Sequence, residues 1–186
     1  MALKLKTLRI FIVSLAALCF MPLPLQATEL EMAATAGSQS IEIFRKGAPR
    51  EFAHTEFVGL SMGAYRAVSD RVSWGAVAEF TAPVGRDNTI GSGRILALRP
   101  VNFLYDWTHQ VATEAYFGMA QYDWIDKASG YYFGANARYA IDGARRFTLL
   151  LDAKYYSDLA HDGGPGGDQI VGGPSFGLGF LYRITD

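Results

Sequence analysis

The chain has 186 residues, the length of one domain; half are apolar, 13 % are aromatic, and 17 Lys and Arg face 18 Asp and Glu. That balance excludes binding to nucleic acid through net positive charge, and the apolar content excludes a disordered chain. A single Cys excludes an internal disulfide or a thiolate metal cage.

Residues 1–27 have the organisation of a secretory signal peptide. Lys4, Lys6 and Arg9 form a positive start, and Ile10 to Phe20 is an apolar run too short to span a bilayer as a helix. Pro22 and Pro24 end that run, and Leu25-Gln26-Ala27 sets a small residue before Thr28. Removal of the three bases from 17 leaves 14 against 18 acids, so the expected mature chain, 28–186, is exported, cysteine-free and net negative.

From there the sequence alternates with period two, in segments separated by turn chemistry. The first predicted strand carries Ile41 and Ile43 against Ser40 and Glu42. In the second, Val58, Leu60, Met62 and Ala64 oppose Gly59, Ser61 and Gly63. In the third, Val72, Trp74, Ala76, Ala78 and Phe80 oppose Ser73, Gly75, Val77 and Glu79. The fourth sets Leu96 and Leu98 against Arg99. Its parity slips after Pro100, which cannot donate to a ladder, so a bulge is expected there, with Asn102 inward and Val101, Phe103 and Tyr105 outward. The fifth sets Val111, Thr113, Ala115, Phe117 and Met119 against Ala112, Glu114, Tyr116 and Gly118. The sixth, Tyr131 to Ile141, opposes its odd-numbered apolar residues with Tyr132, Gly134, Asn136 and Arg138. The seventh sets Phe147, Leu149, Leu151, Ala153 and Tyr155 against Thr148, Leu150, Asp152, Lys154 and Tyr156. In the eighth, Phe176, Leu178, Phe180, Tyr182 and Ile184 oppose Gly177, Gly179, Leu181 and Arg183.

Predicted connections alternate between long (Arg45–Thr55, Ala82–Ser92, Asp123–Gly130, Asp158–Pro174) and short (Val68–Asp70, Asp106–His109, Asp142–Arg145). Eight strands with this alternation predict an all-β, antiparallel, up-and-down transmembrane barrel with both ends on the short-turn side. Trp74, Tyr105, Tyr139, Phe147 and Tyr182 fall outward near that side, and Phe80, Tyr131, Tyr155 and Phe176 outward near the other. These are two aromatic girdles around an apolar band. A soluble periplasmic β-domain binding an apolar ligand is the alternative, and it would leave those aromatics in water.

The inward faces carry Glu42, Glu79, Glu114 and Asp152 against Arg99, Arg138, Lys154 and Arg183. Eight strands leave an interior that side chains fill, and buried charges persist when paired. A closed, salt-bridged lumen is therefore expected. His54, His109 and His161 lack ligand spacing, and His109 lies in a turn opposite the other two, so no metal or cofactor is assigned. Gly163 to Val171 matches a calcium-binding nonapeptide in one copy, without the neighbouring turn such a motif stacks on; it reads as a Gly-rich loop.

The pattern resembles the small eight-stranded outer-membrane barrels, a superfamily that includes adhesion-type structural proteins and lipid A-modifying enzymes. The resemblance implies an outer-membrane location, contact with lipid and lipopolysaccharide, and insertion by the outer-membrane assembly machinery. The alternating Phe180, Tyr182 and Ile184 resemble the C-terminal signal that machinery reads, displaced from the end. Ala153 to Asp158 is similar to the lipid A deacylase segment that carries a His-x-Ser pair, with Ser157 at the nucleophile position. Tyr155 stands where the general base belongs, and Pro174-Ser175-Phe176 offers no orienting carboxylate. His161 is the nearest substitute base. The leading expectation is a structural or surface-interaction barrel; the alternative is a lipopolysaccharide acyl hydrolase.

Overall fold

The computed structural model describes residues 28–45, 49, 51–84, 94–123, 127–161 and 169–185. The expected signal segment, 1–27, and most of the nonapeptide lie outside the described residues. The strands are β1 (Thr28–Arg45), β2 (Glu51–Ala67), β3 (Val72–Val84), β4 (Arg94–Asp106), β5 (Val111–Asp123), β6 (Lys127–Ala140), β7 (Phe147–His161) and β8 (Gln169–Arg183). Each pairs antiparallel with its neighbours in sequence, and β1 pairs with β8 to close an eight-stranded barrel.

Alternation decides the two faces. In β7, Leu149, Leu151 and Tyr155 are exposed outside, while Leu150, Asp152, Lys154 and Tyr156 are buried within. The same split holds in β5, β6 and β8.

β1 departs from expectation. It starts at Thr28 and runs through the Ala-, Gly- and Ser-rich stretch Ala33–Ser40, whose small residues have little strand propensity of their own. The ladders to Tyr65–Glu56 on one side and Leu181–Phe176 on the other hold it extended. Its odd-numbered residues Glu31, Ala33 and Gln39 are buried. Glu42 therefore shares the outward parity of Met32 and Ala34, a correction to its expected inward placement.

The strands also run further than composition suggested. At one end the connections shrink to 46–50, 85–93, 124–126 and 162–168, against 68–71, 107–110 and 141–146 at the other. Polar residues such as Glu51, Asp123 and Lys127, which read as loop, remain in the ladder. Much of the expected contrast in loop length is strand extension.

The bulge at Pro100 is present: register shifts between Leu98 and Val101 against β5. Leu98 pairs with Ala78 and Met119 and so keeps the outward parity of Leu96, although it is covered there; the register shifts only beyond it. The buried Asn102 amide donates to the carbonyls of Gly75 (3.0 Å) and Arg99 (2.9 Å), satisfying acceptors where the ladder is interrupted. A second bulge sets Ser157 and Asp158 against a single residue of β8.

Each short turn closes on a side-chain acceptor, the hydrogen-bonding habit that favours Ser, Thr and Asp in turns. Ser69 Oγ accepts from the Val72 N–H, Thr108 Oγ1 from the Val111 N–H, and the Asp142 carboxylate from the N–H groups of Phe147 (2.8 Å) and Arg146 (3.2 Å). Asp106 pairs with Arg145, tying two of these turns together, and the His109 ring bonds the Gly143 carbonyl.

Candidate functional site: the charged lumen

The buried charges form two layers. In the layer nearer the short turns, Arg138 on β6 bridges Glu31 on β1 (2.8 Å) and Glu114 on β5 (2.7 Å). The Tyr65 hydroxyl donates to Glu114 (2.6 Å) and accepts from Arg138 (3.0 Å), and Asn136 donates to Glu114. Arg183 reaches Glu29 (3.1 Å) and Glu31 (3.7 Å). In the layer above, Glu79 on β3 pairs with Arg99 (3.2 Å) and Lys154, and Lys154 also pairs with Asp152 (3.2 Å). Tyr116 donates to Asp152 (2.7 Å) and lies under the Arg99 guanidinium, 4.3 Å from its ring centre. Each layer sets two buried acids, Glu31 and Glu114 or Glu79 and Asp152, against two bases. Each of these enclosed charges is thus set against a partner of opposite sign.

Of the eight residues assigned to this network from sequence, seven line the lumen: Glu79, Arg99, Glu114, Arg138, Asp152, Lys154 and Arg183. Glu42 has the outward parity of its neighbours Met32 and Ala34, and Glu31 takes the luminal place expected of a β1 acid. Glu31 lies outside the expected first strand, which covers only Ser40 to Ile43. Tyr65, Tyr116 and Asn136 were missed as partners, since periodicity gives their side of the sheet but not their neighbours across the lumen.

Above the charges, Tyr116, Tyr122, Tyr132 and Tyr156 pack with Ile95, Ala97 and Ala120. Tyr122 and Tyr132 each contact Tyr156, with ring centres 5.5 and 5.4 Å apart. Four luminal tyrosines stand directly opposite a glycine in the register: Tyr65 and Gly75, Tyr116 and Gly134, Tyr132 and Gly118, Tyr156 and Gly173. A Cβ at Gly75 or Gly118 would collide with the facing ring, so these glycines make room for tyrosine rather than for long charged side chains.

The girdle residues Trp74, Phe80, Tyr131, Tyr139, Phe147, Tyr155, Phe176 and Tyr182 are exposed on the outer wall, with Tyr105 half-buried there. Several pair across strands, including Phe147 with Tyr182 and Phe133 with Tyr155. A concavity of about 860 Å³ is also outside. It follows the register-linked row Tyr139, Leu149, Phe180, Ala34, Leu60 and Phe80, a furrow that deepens where Ala34 is small. Inside, among the described residues, cavities of about 20 and 10 Å³ lie against the charged side chains.

The residues of the esterase alternative, Tyr155, Ser157 and His161, all lie on β7. Tyr155 points outward; Ser157 sits in the β7 bulge, and its hydroxyl donates to the Tyr131 carbonyl (3.0 Å). The His161 backbone pairs with Gln169, and its side chain lies outside the described residues. His54 is exposed on β2. Among the described residues, no three His, Cys, Asp or Glu side chains cluster as metal ligands.

No family model matches the sequence, and no curated protein matches it. Solved structures do. The chain is similar to small outer-membrane barrels. OprG of Pseudomonas aeruginosa aligns over 86 % of this chain and 97 % of its own, at 11 % identity and a TM-score of 0.49. The attachment invasion locus protein Ail of Yersinia pestis aligns over 84 % and 99 %, at 15 % identity and 0.42. Neisserial surface protein A aligns over 82 % and 97 %, at 9 % identity and 0.46.

Proposed function

We propose that the mature chain is an outer-membrane barrel with a closed lumen and a structural or surface-interaction role. The observation that carries this reading is the interior itself: two electroneutral layers of mutually paired charges, capped by packed tyrosines, enclosing cavities about the size of single waters. An apolar outer wall with aromatics toward both ends supports the bilayer as its surroundings. Lipid and lipopolysaccharide then cover that wall, and the assembly machinery reads the β8 segment containing Phe180 and Tyr182. Two measurements test the reading. Envelope fractionation with gels of boiled and unboiled samples should find the mature protein in the outer membrane with heat-modifiable mobility. Planar-bilayer recordings should show no stable conductance. A soluble periplasmic protein overturns the location, and reproducible large conductance overturns the closed lumen.

A further inference from the structure

Two luminal cavities lie on either side of shared lining residues, Glu31, Arg138 and Leu181. The upper, about 20 Å³, is lined by Glu31, Tyr65, Arg99, Glu114 and Arg138 among others. The lower, about 10 Å³, is again lined by Glu31 and Arg138 and reaches Arg145 and Arg183 at the short-turn mouth. A single water needs about 10–15 Å³ and two to four polar partners. Volume therefore allows one water in the upper space and is marginal in the lower.

The polar lining decides what fills them. Arg99 Nε and Nη1 and Glu31 Oε1, on side chains more than nine-tenths buried, have no hydrogen-bond partner within the protein, and Arg183 Nε lacks one as well. Leaving charged groups unsatisfied at such burial costs more than immobilising a water. Donors from Arg99 and an acceptor from Glu31 on one small cavity form a water's coordination shell. Beyond Arg99 the path meets Tyr116 and the ring cluster of Tyr122, Tyr132 and Tyr156.

We propose that the short-turn half of the lumen is a one-ended water file, entering beside Arg183, passing Glu31 and Arg138, and ending at a bound water under Arg99. This rests on the closed-lumen reading and divides the plug in two: the lumen from Arg183 up to Arg99 is hydrated, and the tyrosine layer is the seal.

X-ray radiolysis in the folded, membrane-embedded protein tests it, because hydroxyl radicals formed from bound water label the side chains beside it. Tyr65, only 2 % exposed, should be labelled about tenfold faster than Tyr132 and Tyr156, which are as deeply buried but line neither cavity. Ala33→Val adds methyl groups to the upper cavity and should bring Tyr65 down to the rate of those controls while heat-modifiable mobility is kept. If that variant does not fold, the ratio in the unmodified protein still decides. Equal labelling of all three tyrosines, or none at Tyr65, overturns the proposal while leaving a non-conducting barrel intact. Large conductance instead removes the closed-lumen reading on which it rests.

Discussion

Leu149 and Leu150 are adjacent in sequence and lie on opposite sides of the barrel wall, one 42 % exposed and the other 7 %. The outer face is held by its surroundings, which accept any apolar side chain of suitable size. The inner face is held by named partners: Arg138 has Glu31, Glu114 and Tyr65, and Lys154 has Glu79 and Asp152. One strand is thus under two selection rules. Outside, polarity decides; inside, the identity of the partner decides.

The largest break in that comparison comes from removing one inner partner. Arg138→Met leaves Glu31 and Glu114 without their shared cation, and a buried charge stripped of its partner costs about 3–5 kcal/mol. Denaturant unfolding in lipid vesicles should show a loss of this size. The double variant Arg138→Met with Glu114→Leu should be less destabilised than the sum of its single variants, since two orphaned charges are reduced to one. Simple additivity would mean that the contacts seen in the lower layer contribute little.

Next in size is the outer rule. Leu149→Arg puts a charge in the apolar band and should cost about 2–4 kcal/mol of bilayer folding, while Leu149→Phe should be nearly neutral. Equal effects for Arg and Phe would mean that the wall does not face hydrocarbon at this position.

How much of this was legible in the sequence follows from the same two rules. Polarity has a period, so the faces of β5 to β8 and the sides taken by Glu79, Arg99 and Arg138 could be read from alternation alone. Pro100 marked its bulge because a missing N–H has one consequence in a ladder. Partner identity has no period. That Tyr65 meets Glu114, or Tyr116 meets Asp152, depends on the lumen being closed and on register across several strands. β1 escaped both rules: Ala33–Ser40 has neither the bulk nor the polarity contrast to announce a strand, so Glu31 went unread and Glu42 was assigned to the wrong face. The polar ends of β2, β4, β5 and β6 were read as loop because composition there outweighs a ladder that only the neighbouring strand supplies.

A sharper test of the inner rule uses packing without charge. Gly75→Ala drives a methyl group into the Tyr65 ring and the Ala64 carbonyl, and overpacking of this kind costs about 1–3 kcal/mol. Gly143, in the β6–β7 turn, has nothing within 4 Å of the same added atom, so Gly143→Ala should leave stability unchanged. Similar losses for both would attribute the effect to glycine's backbone freedom rather than to the Tyr–Gly pairing.

The smallest expected effect lies outside both faces, in the turn between β6 and β7. The Asp142 carboxyl is held below its usual value chiefly by the Phe147 N–H that it accepts, with help from the Arg146 N–H and the nearby Arg146 charge. Arg145 beside it has a left-handed backbone, φ 57°, so this turn depends on its side-chain bonds more than an unstrained one. A carboxyl whose value is lowered by folding stabilises the folded state above its unfolded value, near 3.9 for aspartate, and loses that contribution as pH falls through the folded value. Protection of the Phe147 amide, its exchange relative to the intrinsic rate at each pH, should therefore fall as the pH drops below about 4, with barrel stability barely changed because the group is on the surface. Asp142→Asn should make that exchange faster at neutral pH and remove its acid dependence. An Asp142→Asn protein in which Phe147 still opens with the same acid midpoint would show that another carboxyl governs the turn.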